Sequence, residues 1–272
     1  MSYPVRAPGP FHVDQLRSGD PYELSEGHPV LCLPTGGNGT GPNGRGFVVL
    51  DTDPAAPPAG VDAGIALSSD TLRAPDLVVG IGPEERGWST TVPPLAVEYA
   101  AEGQDNPDLR KKIDEFLTAG TRWVWVVRLT GPRRVEVYER GKATRTVHAG
   151  QSLTAPGVLK NDVPVDALFD RDAAHEVALR NLVQRRGYDS FEDAVDKSIQ
   201  KGVEQGRDEG LRAGLLPLQR LVARRLGRPL TAAESAMLLA RVDTVGPDRL
   251  GDVVLDLSPE ALGAWLADPD AR

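Results

Sequence analysis

The chain has 272 residues, 40% hydrophobic and 26% charged, with a net charge of −8 at pH 7. That profile suits a globular protein of one or two domains, and the acidic balance argues against a protein that coats DNA. No run approaches the ~18 apolar residues of a membrane span, and the N-terminus has no basic-then-apolar signal pattern. The one cysteine, Cys32, excludes an internal disulfide framework and a multi-cysteine zinc site, so a reduced cytoplasm is expected.

Residues 1–70 are rich in Pro and Gly. The sequence predicts a short strand pair there, Val30–Leu33 with Phe47–Leu50, separated by a mobile loop over Gly36–Gly46. That loop spells Gly-x-Gly-x-x-Gly at Gly39, Gly41 and Gly44. A dinucleotide site needs a helix after such a motif, whereas Pro42 interrupts this one and a strand-like Phe-Val-Val-Leu follows. A Walker phosphate loop is absent.

Residues 71–150 read as a compact α/β core. Leu77–Ile81 and Leu95–Ala100 are short apolar runs bounded by Gly and Pro, as buried strands are, with a loop over residues 82–94 between them. Asn106-Pro107 predicts an N-cap followed by proline at the first helical position. Leu109, Ile113, Phe116 and Leu117 then mark one helix face, and Gly120 ends it. Trp123–Val127 predicts a strand, and Arg134–Tyr138 with Ala143–Val147 a hairpin.

Two acids in this core stand beside a helix-borne lysine. Asp76 opens one apolar run, and Glu98 sits inside the other, Leu-Ala-Val-Glu-Tyr-Ala. A carboxylate there is costly to bury without a cation, so a metal or a basic partner is expected. Asp76 and Glu98 would hold Mg²⁺ or Mn²⁺ with the Tyr99 carbonyl as a third ligand, because hard cations prefer oxygen. At ~100° per residue, Lys111 points away from the buried helix face, while Lys112 lies about 80° from its centre, at the rim beside the sheet. Lys112 is therefore the lysine that reaches the acids, where it would stabilise transition-state charge. Arg110, Lys111 and Lys112, and Arg133 with Arg134, are candidate basic patches for nucleic acid. His12, His28, His148 and His175 are scattered and lack metal-ligand spacing.

From about residue 171 the chain reads as helical, giving domains over residues 1–170 and 171–272. Helices are expected over Ala173–Val183, from Phe191 to about Leu226 with a kink at Pro217, and from near Thr231, Pro247 and Ser258. Thr231-Ala-Ala-Glu234 is a capping box. Gly202, Gly206, Gly210 and Gly214 recur every four residues. In a bare helix they cost ~4 kcal/mol in all, so a close helix or subunit contact is expected to offset them. Charges between the glycines exclude a membrane role.

The blocks Tyr22-Glu-Leu-Ser-Glu-Gly27, Ala-Pro-Asp76-Leu-Val-Val, Pro-Pro-Leu-Ala-Val-Glu98 and Asp108-Leu-Arg-Lys-Lys112 together resemble the Uma2 family, endonucleases of the PD-(D/E)XK superfamily. Gly120-Thr-Arg-Trp-Val-Trp-Val, Arg134-Val-Glu-Val-Tyr138 and Pro164-Val-Asp-Ala-Leu-Phe169 extend the resemblance over roughly residues 12–170. It implies a restriction-endonuclease-like α/β core, a mixed sheet flanked by helices, and Mg²⁺-dependent cleavage of DNA. It further implies that Asp76 and Glu98 are the metal carboxylates, that Lys112 is the catalytic lysine, and that Glu23 is a supporting acid. The superfamily's usual lysine, two residues after the glutamate, is Ala100 here. The usual Ser-Pro-Ser after the glutamate is replaced by Tyr-Ala-Ala-Glu-Gly-Gln, and the glycine-rich stretch replaces what is normally a helix. The glycine-spaced tail resembles tails of transposase-related PD-(D/E)XK proteins.

The expected function is thus a DNA endonuclease, with a homodimer formed through the C-terminal helices. The rivals are a cleavage-inactive relative that binds DNA or protein as a scaffold, and a nuclease for RNA or branched nucleic acid.

Overall fold

The computed structural model describes residues 9–32, 37–81, 87–101, 107–268 and 271. A single 3-10 turn, Val13–Gln15, precedes β1 (Tyr22–Ser25) and β2 (His28–Leu31). Helix α1 (Gly37–Asp51) follows, then β3 (Ala59–Val61), β4 (Ile65–Ala66), β5 (Leu72–Arg73), β6 (Leu77–Val79) and β7 (Leu95–Ala100). Helix α2 (Pro107–Ala119) leads into β8 (Trp123–Arg128), β9 (Arg134–Glu139), β10 (Arg145–His148), β11 (Ser152–Leu153) and β12 (Val163–Pro164). The remainder is helical: α3 (Arg171–Arg185), α4 (Phe191–Leu226), α5 (Ala232–Val245), α6 (Pro247–Asp256) and α7 (Pro259–Ala267). The chain divides into two compact units, Met1–Ala194 and Val195–Arg272.

The first unit is a mixed α/β fold. Its main sheet has the order β10-β9-β8-β7-β6-β3, with β7 and β8 parallel and the other pairs antiparallel. A parallel pair needs a long crossover, and α2 supplies it. Every residue of β7 and β8 is buried, which is why both read as continuous apolar runs.

Period-2 alternation sorts the side chains of those strands. Leu95, Val97, Tyr99, Trp123, Trp125 and Val127 pack with Val49 and Leu50 of α1 and with Ala174 and Val177 of α3. Ala96, Ala100, Val124 and Val126 pack with Ile113 and Phe116 of α2. Glu98 has the parity of Ala96 and Ala100, and so belongs to the α2 face. A second sheet, β2-β1-β5-β4, begins with a hairpin whose turn residues Glu26 and Gly27 have φ of 48° and 75°. Such two-residue turns match the twist of the flanking strands.

One expectation is overturned. The glycine-rich stretch is a helix from Gly37 onward rather than a loop, and Phe47–Leu50 is its last part rather than a strand. β2 pairs instead with β1. Packing overrides propensity here, because Val49 and Leu50 are fully buried against the main sheet. Gly46 also lets α1 sit close to that sheet. A Cβ on Gly46 would lie 2.0 Å from the Tyr99 hydroxyl and 2.8 Å from Leu77 Cδ1. The helix that the resemblance led one to expect missing is thus present. Leu33, Gly36, Asn106 and residues 82–86 of the expected loop lie outside the described residues.

In the second unit, Val222 of α4 packs with Leu238 of α5, Leu250, Val253 and Val254 of α6, and Leu262, Trp265 and Leu266 of α7. Helix α4 runs through Pro217, and the capping box at α5 forms as expected. The Thr231 hydroxyl accepts from the Glu234 N–H while the Glu234 carboxylate accepts from the Thr231 N–H. Among the described residues no helix is long and apolar enough to cross a membrane.

Candidate active site

Three elements bring the acids and the lysine together. Asp76 stands immediately before β6. Its Oδ2 accepts the Tyr99 N–H of β7 at 2.6 Å, and its Oδ1 accepts from Asn43 Nδ2 of α1 at 3.4 Å. Glu98 projects from the middle of β7 toward α2. Lys112, one and a half turns into α2, places Nζ 2.7 Å from Glu98 Oε1.

Nζ also donates to Glu23 Oε1 at 3.0 Å and to the Ala74 carbonyl at 2.8 Å. Lys111 turns the other way, pairing with Glu26 at 2.7 Å with its side chain 39% exposed, against 13% for Lys112. Of the two basic patches, Arg110 is exposed, and Arg133 pairs with Asp166 at 3.1 Å.

Behind Lys112 runs a buried charge relay. Glu23, on β1, accepts from Arg73 Nη1 at 3.0 Å and from the Ala74 N–H at 3.2 Å. Arg73 Nε donates in turn to Glu115 of α2, whose other oxygen accepts from the Ser25 hydroxyl at 2.6 Å. Arg73 is 1% exposed, and a buried guanidinium of that kind persists only when paired. The relay ties β1 and β5 of the smaller sheet to α2, and so fixes the helix rim on which Lys112 stands. Sequence reasoning named Glu23 but missed Arg73, Glu115, Ser25 and Asn43. One signal was available: Glu115 lies three residues after Lys112, on the same side of the helix.

The balance of charge is uneven. Asp76, Glu98 and Glu23 surround one ammonium, and Arg73 is shared with Glu115. Burial, more than any other cause, pushes the Glu98 carboxyl up to about 8; Lys112 pulls it down, while the charges of Asp76 and Glu23 push it further up. Burial also raises Asp76, against the Tyr99 N–H and Lys112. Burial opposes the charge on Lys112, yet Glu98 and Glu23 outweigh it, so its pKa rises and it stays an ammonium. Glu23 is likewise pushed up by burial but pulled below its ordinary value by Lys112 and Arg73 together.

A hard divalent cation fits this donor set. Asp76 and Glu98 offer carboxylate oxygens in a place that is short of positive charge. The Tyr99 N–H points at Asp76, and the carbonyl of one strand residue leaves on the same side as its N–H. Among the described residues no three His, Cys, Asp or Glu side chains group to hold a metal. Ala100, on the same strand face as Glu98, is packed with Ile113 and leaves the cationic role to α2.

The Uma2 family profile, described as "Putative restriction endonuclease", matches residues 13–166, more than half of the chain. Among solved structures the chain is similar to a protein described as "a putative nuclease belonging to DUF820" from Anabaena variabilis ATCC 29413. The two share 19% identity and a TM-score of 0.51, over 61% of this chain and 99% of that one, which establishes a common fold. No curated protein matches the chain.

Proposed function

Because the chain belongs to the Uma2 family, we propose that it is a metal-dependent DNA endonuclease that hydrolyses phosphodiester bonds through Asp76, Glu98 and Lys112. The observation that carries this reading is the excess of buried carboxylate over cation around Lys112, with Glu98 as its most perturbed member. Asp76 and Glu98 would hold Mg²⁺ or Mn²⁺, with the Tyr99 carbonyl beside them. The cation, when bound, acidifies a water and relieves charge on the phosphate under attack.

The chain's own residues do the rest. Asp76 is oriented by the Tyr99 N–H and by Asn43, so its carboxylate is set before substrate arrives. Lys112 stays protonated, and therefore acts as a fixed positive charge facing the developing anion rather than as a base. Glu23, Arg73 and Glu115 hold that charge in place. The proposed setting is the cytoplasm, and the C-terminal helices are proposed to join two copies.

One observation favours a second reading, a cleavage-inactive DNA-binding or protein-interaction scaffold. Lys112 Nζ donates to Glu23 and to the Ala74 carbonyl and forms an ion pair with Glu98, so it already neutralises the acids that would face a cation. Under that reading Lys112 is a structural replacement for the metal. Calorimetric titration of the full chain with Mg²⁺ and Mn²⁺ separates the two. Saturable binding that disappears in Asp76→Ala is the expected result. An absence of saturable binding sinks the endonuclease reading and leaves the scaffold.

A further inference from the structure

Helix α1 brings a further side chain to the candidate metal site. Asn43 lies three residues before Gly46, and so on the same side of the helix. A Cβ on Gly46 would stand 2.0 Å from the Tyr99 hydroxyl, so the bare glycine sets α1 close to the main sheet. That close approach lets the short Asn43 side chain reach Asp76. Leu77 pairs with Val97, which sets Asp76 beside Glu98 on the neighbouring strand. Glu98 meets Lys112 on the α2 face of the sheet, whereas Asn43 comes from the α1 side.

The Asn43 amide is only half used. Its Nδ2 donates to Asp76 Oδ1 at 3.4 Å, long for a hydrogen bond to a carboxylate, where about 2.7–2.9 Å is usual. Oδ1 of the same amide is buried and has no hydrogen-bond partner. Leaving a buried carbonyl oxygen unpaired is costly. Asp76 shows a matching asymmetry: Oδ2 takes the Tyr99 N–H at 2.6 Å, while Oδ1 has the long Asn43 contact. The orphaned amide oxygen and the loosely held carboxylate oxygen are both hard donors, the kind a divalent cation takes.

We propose that Asn43 Oδ1 is a direct ligand of the cation that Asp76 and Glu98 would hold. The inference rests on the metal-dependent reading above and extends its ligand set beyond the two carboxylates and the Tyr99 carbonyl. A half-turn about the Asn43 Cβ–Cγ bond exchanges Nδ2 and Oδ1, and the amide keeps its shape in doing so. Without a cation the amide N–H faces the carboxylate; with a cation between them the amide oxygen does. Two oxygens at right angles on a cation with bonds of about 2.1 Å stand ~3.0 Å apart. The 3.4 Å between Asn43 and Asp76 is close to that spacing. A neutral amide also suits a site already rich in acid, because it adds an oxygen without adding negative charge.

Calorimetry of the full chain with Mg²⁺ or Mn²⁺ alone reads this ligand without reference to cleavage. Asn43→Ala is expected to weaken the binding of both metals by about 10-fold or more. Asn43→Cys, with exposed Cys32 changed to Ser, exchanges the hard oxygen for a soft thiolate. It is expected to bind Cd²⁺ with a thiolate-to-metal ultraviolet band that a further Asp76→Ala change removes. A residue that merely orients Asp76 would give no such band. Wild-type affinity in Asn43→Ala, or no band in an Asn43→Cys chain with wild-type circular dichroism, would overturn Asn43 as a ligand and leave the endonuclease reading standing. Asn43-dependent metal binding by a chain that leaves plasmid intact would uphold the ligand and sink the cleavage. A wild type without saturable metal binding would overturn both.

Discussion

Replacing Lys112 by Met removes the ammonium while keeping much of its stem, and it tests the electrostatics of the site directly. In the wild type, Nζ lies 2.7 Å from Glu98 and 3.0 Å from Glu23, with its side chain only 13% exposed. Breaking a buried pair by deleting one partner costs about 3–5 kcal/mol, because an uncompensated charge remains. Here two carboxylates lose their shared cation, and Glu23 alone retains a second one, Arg73. Both carboxyls can escape by taking up protons. A carboxyl whose folded pKa is raised contributes stability below its unfolded value and loses it as pH rises through the folded value. Glu98 is already at about 8 with Lys112 present and is pushed higher without it. The deficit of Lys112→Met should therefore be about 3–5 kcal/mol near pH 8 and shrink to about 1–2 kcal/mol near pH 5, where lost hydrogen bonds dominate. Urea unfolding of both proteins at the two pH values, with chelator present, measures this. A deficit that is absent at pH 8, or the same at both pH values, would refute the reasoning.

The remaining expectations are more local. Gly46→Ala places a Cβ 2.0 Å from the Tyr99 hydroxyl and should cost about 1–3 kcal/mol, partly recovered in the double variant with Tyr99→Phe; additive effects in thermal unfolding would argue against the close approach. Glu23 is held below its ordinary value of 4.5, so its contribution is present above that pH and lost as pH falls; the stability gap between wild type and Glu23→Gln should close below about pH 4.5. Thr231→Ala removes one half of the α5 capping box and should cost about 0.5–2 kcal/mol, read by hydrogen exchange as faster opening confined to the C-terminal unit.

Much of this arrangement was legible in the sequence, for reasons that particular residues make plain. Leu95–Ala100 and Trp123–Val127 read as buried strands because helices cover both faces of the sheet and leave apolar side chains at every position but Glu98. The spacing of Ile113 and Phe116 gave the orientation of α2, and with it the rim position of Lys112. The α4 span and the α5 cap were equally local signals. Helix α1 was illegible because Gly39, Gly41, Gly44, Gly46 and Pro42 all predict a loop, whereas the helix is held by what lies across from it: Leu77, Tyr99 and Asp76. The relay behind Lys112 was hidden for a similar reason. Arg73 meets Glu115 across 42 residues and Ser25 meets Glu115 across 90, and no short-range pattern encodes such pairs.

The central claim is that Asp76, Glu98 and Lys112 cut DNA with the help of a divalent cation. Its most direct test is the rate at which purified full-length protein nicks supercoiled plasmid in Mg²⁺ or Mn²⁺, compared with Asp76→Asn, Glu98→Gln and Lys112→Met. The account predicts cleavage that chelator abolishes and that each substitution lowers by about 100-fold or more. Cleavage that persists in Glu98→Gln at the wild-type rate, or a wild type that leaves plasmid intact in either metal, would contradict it.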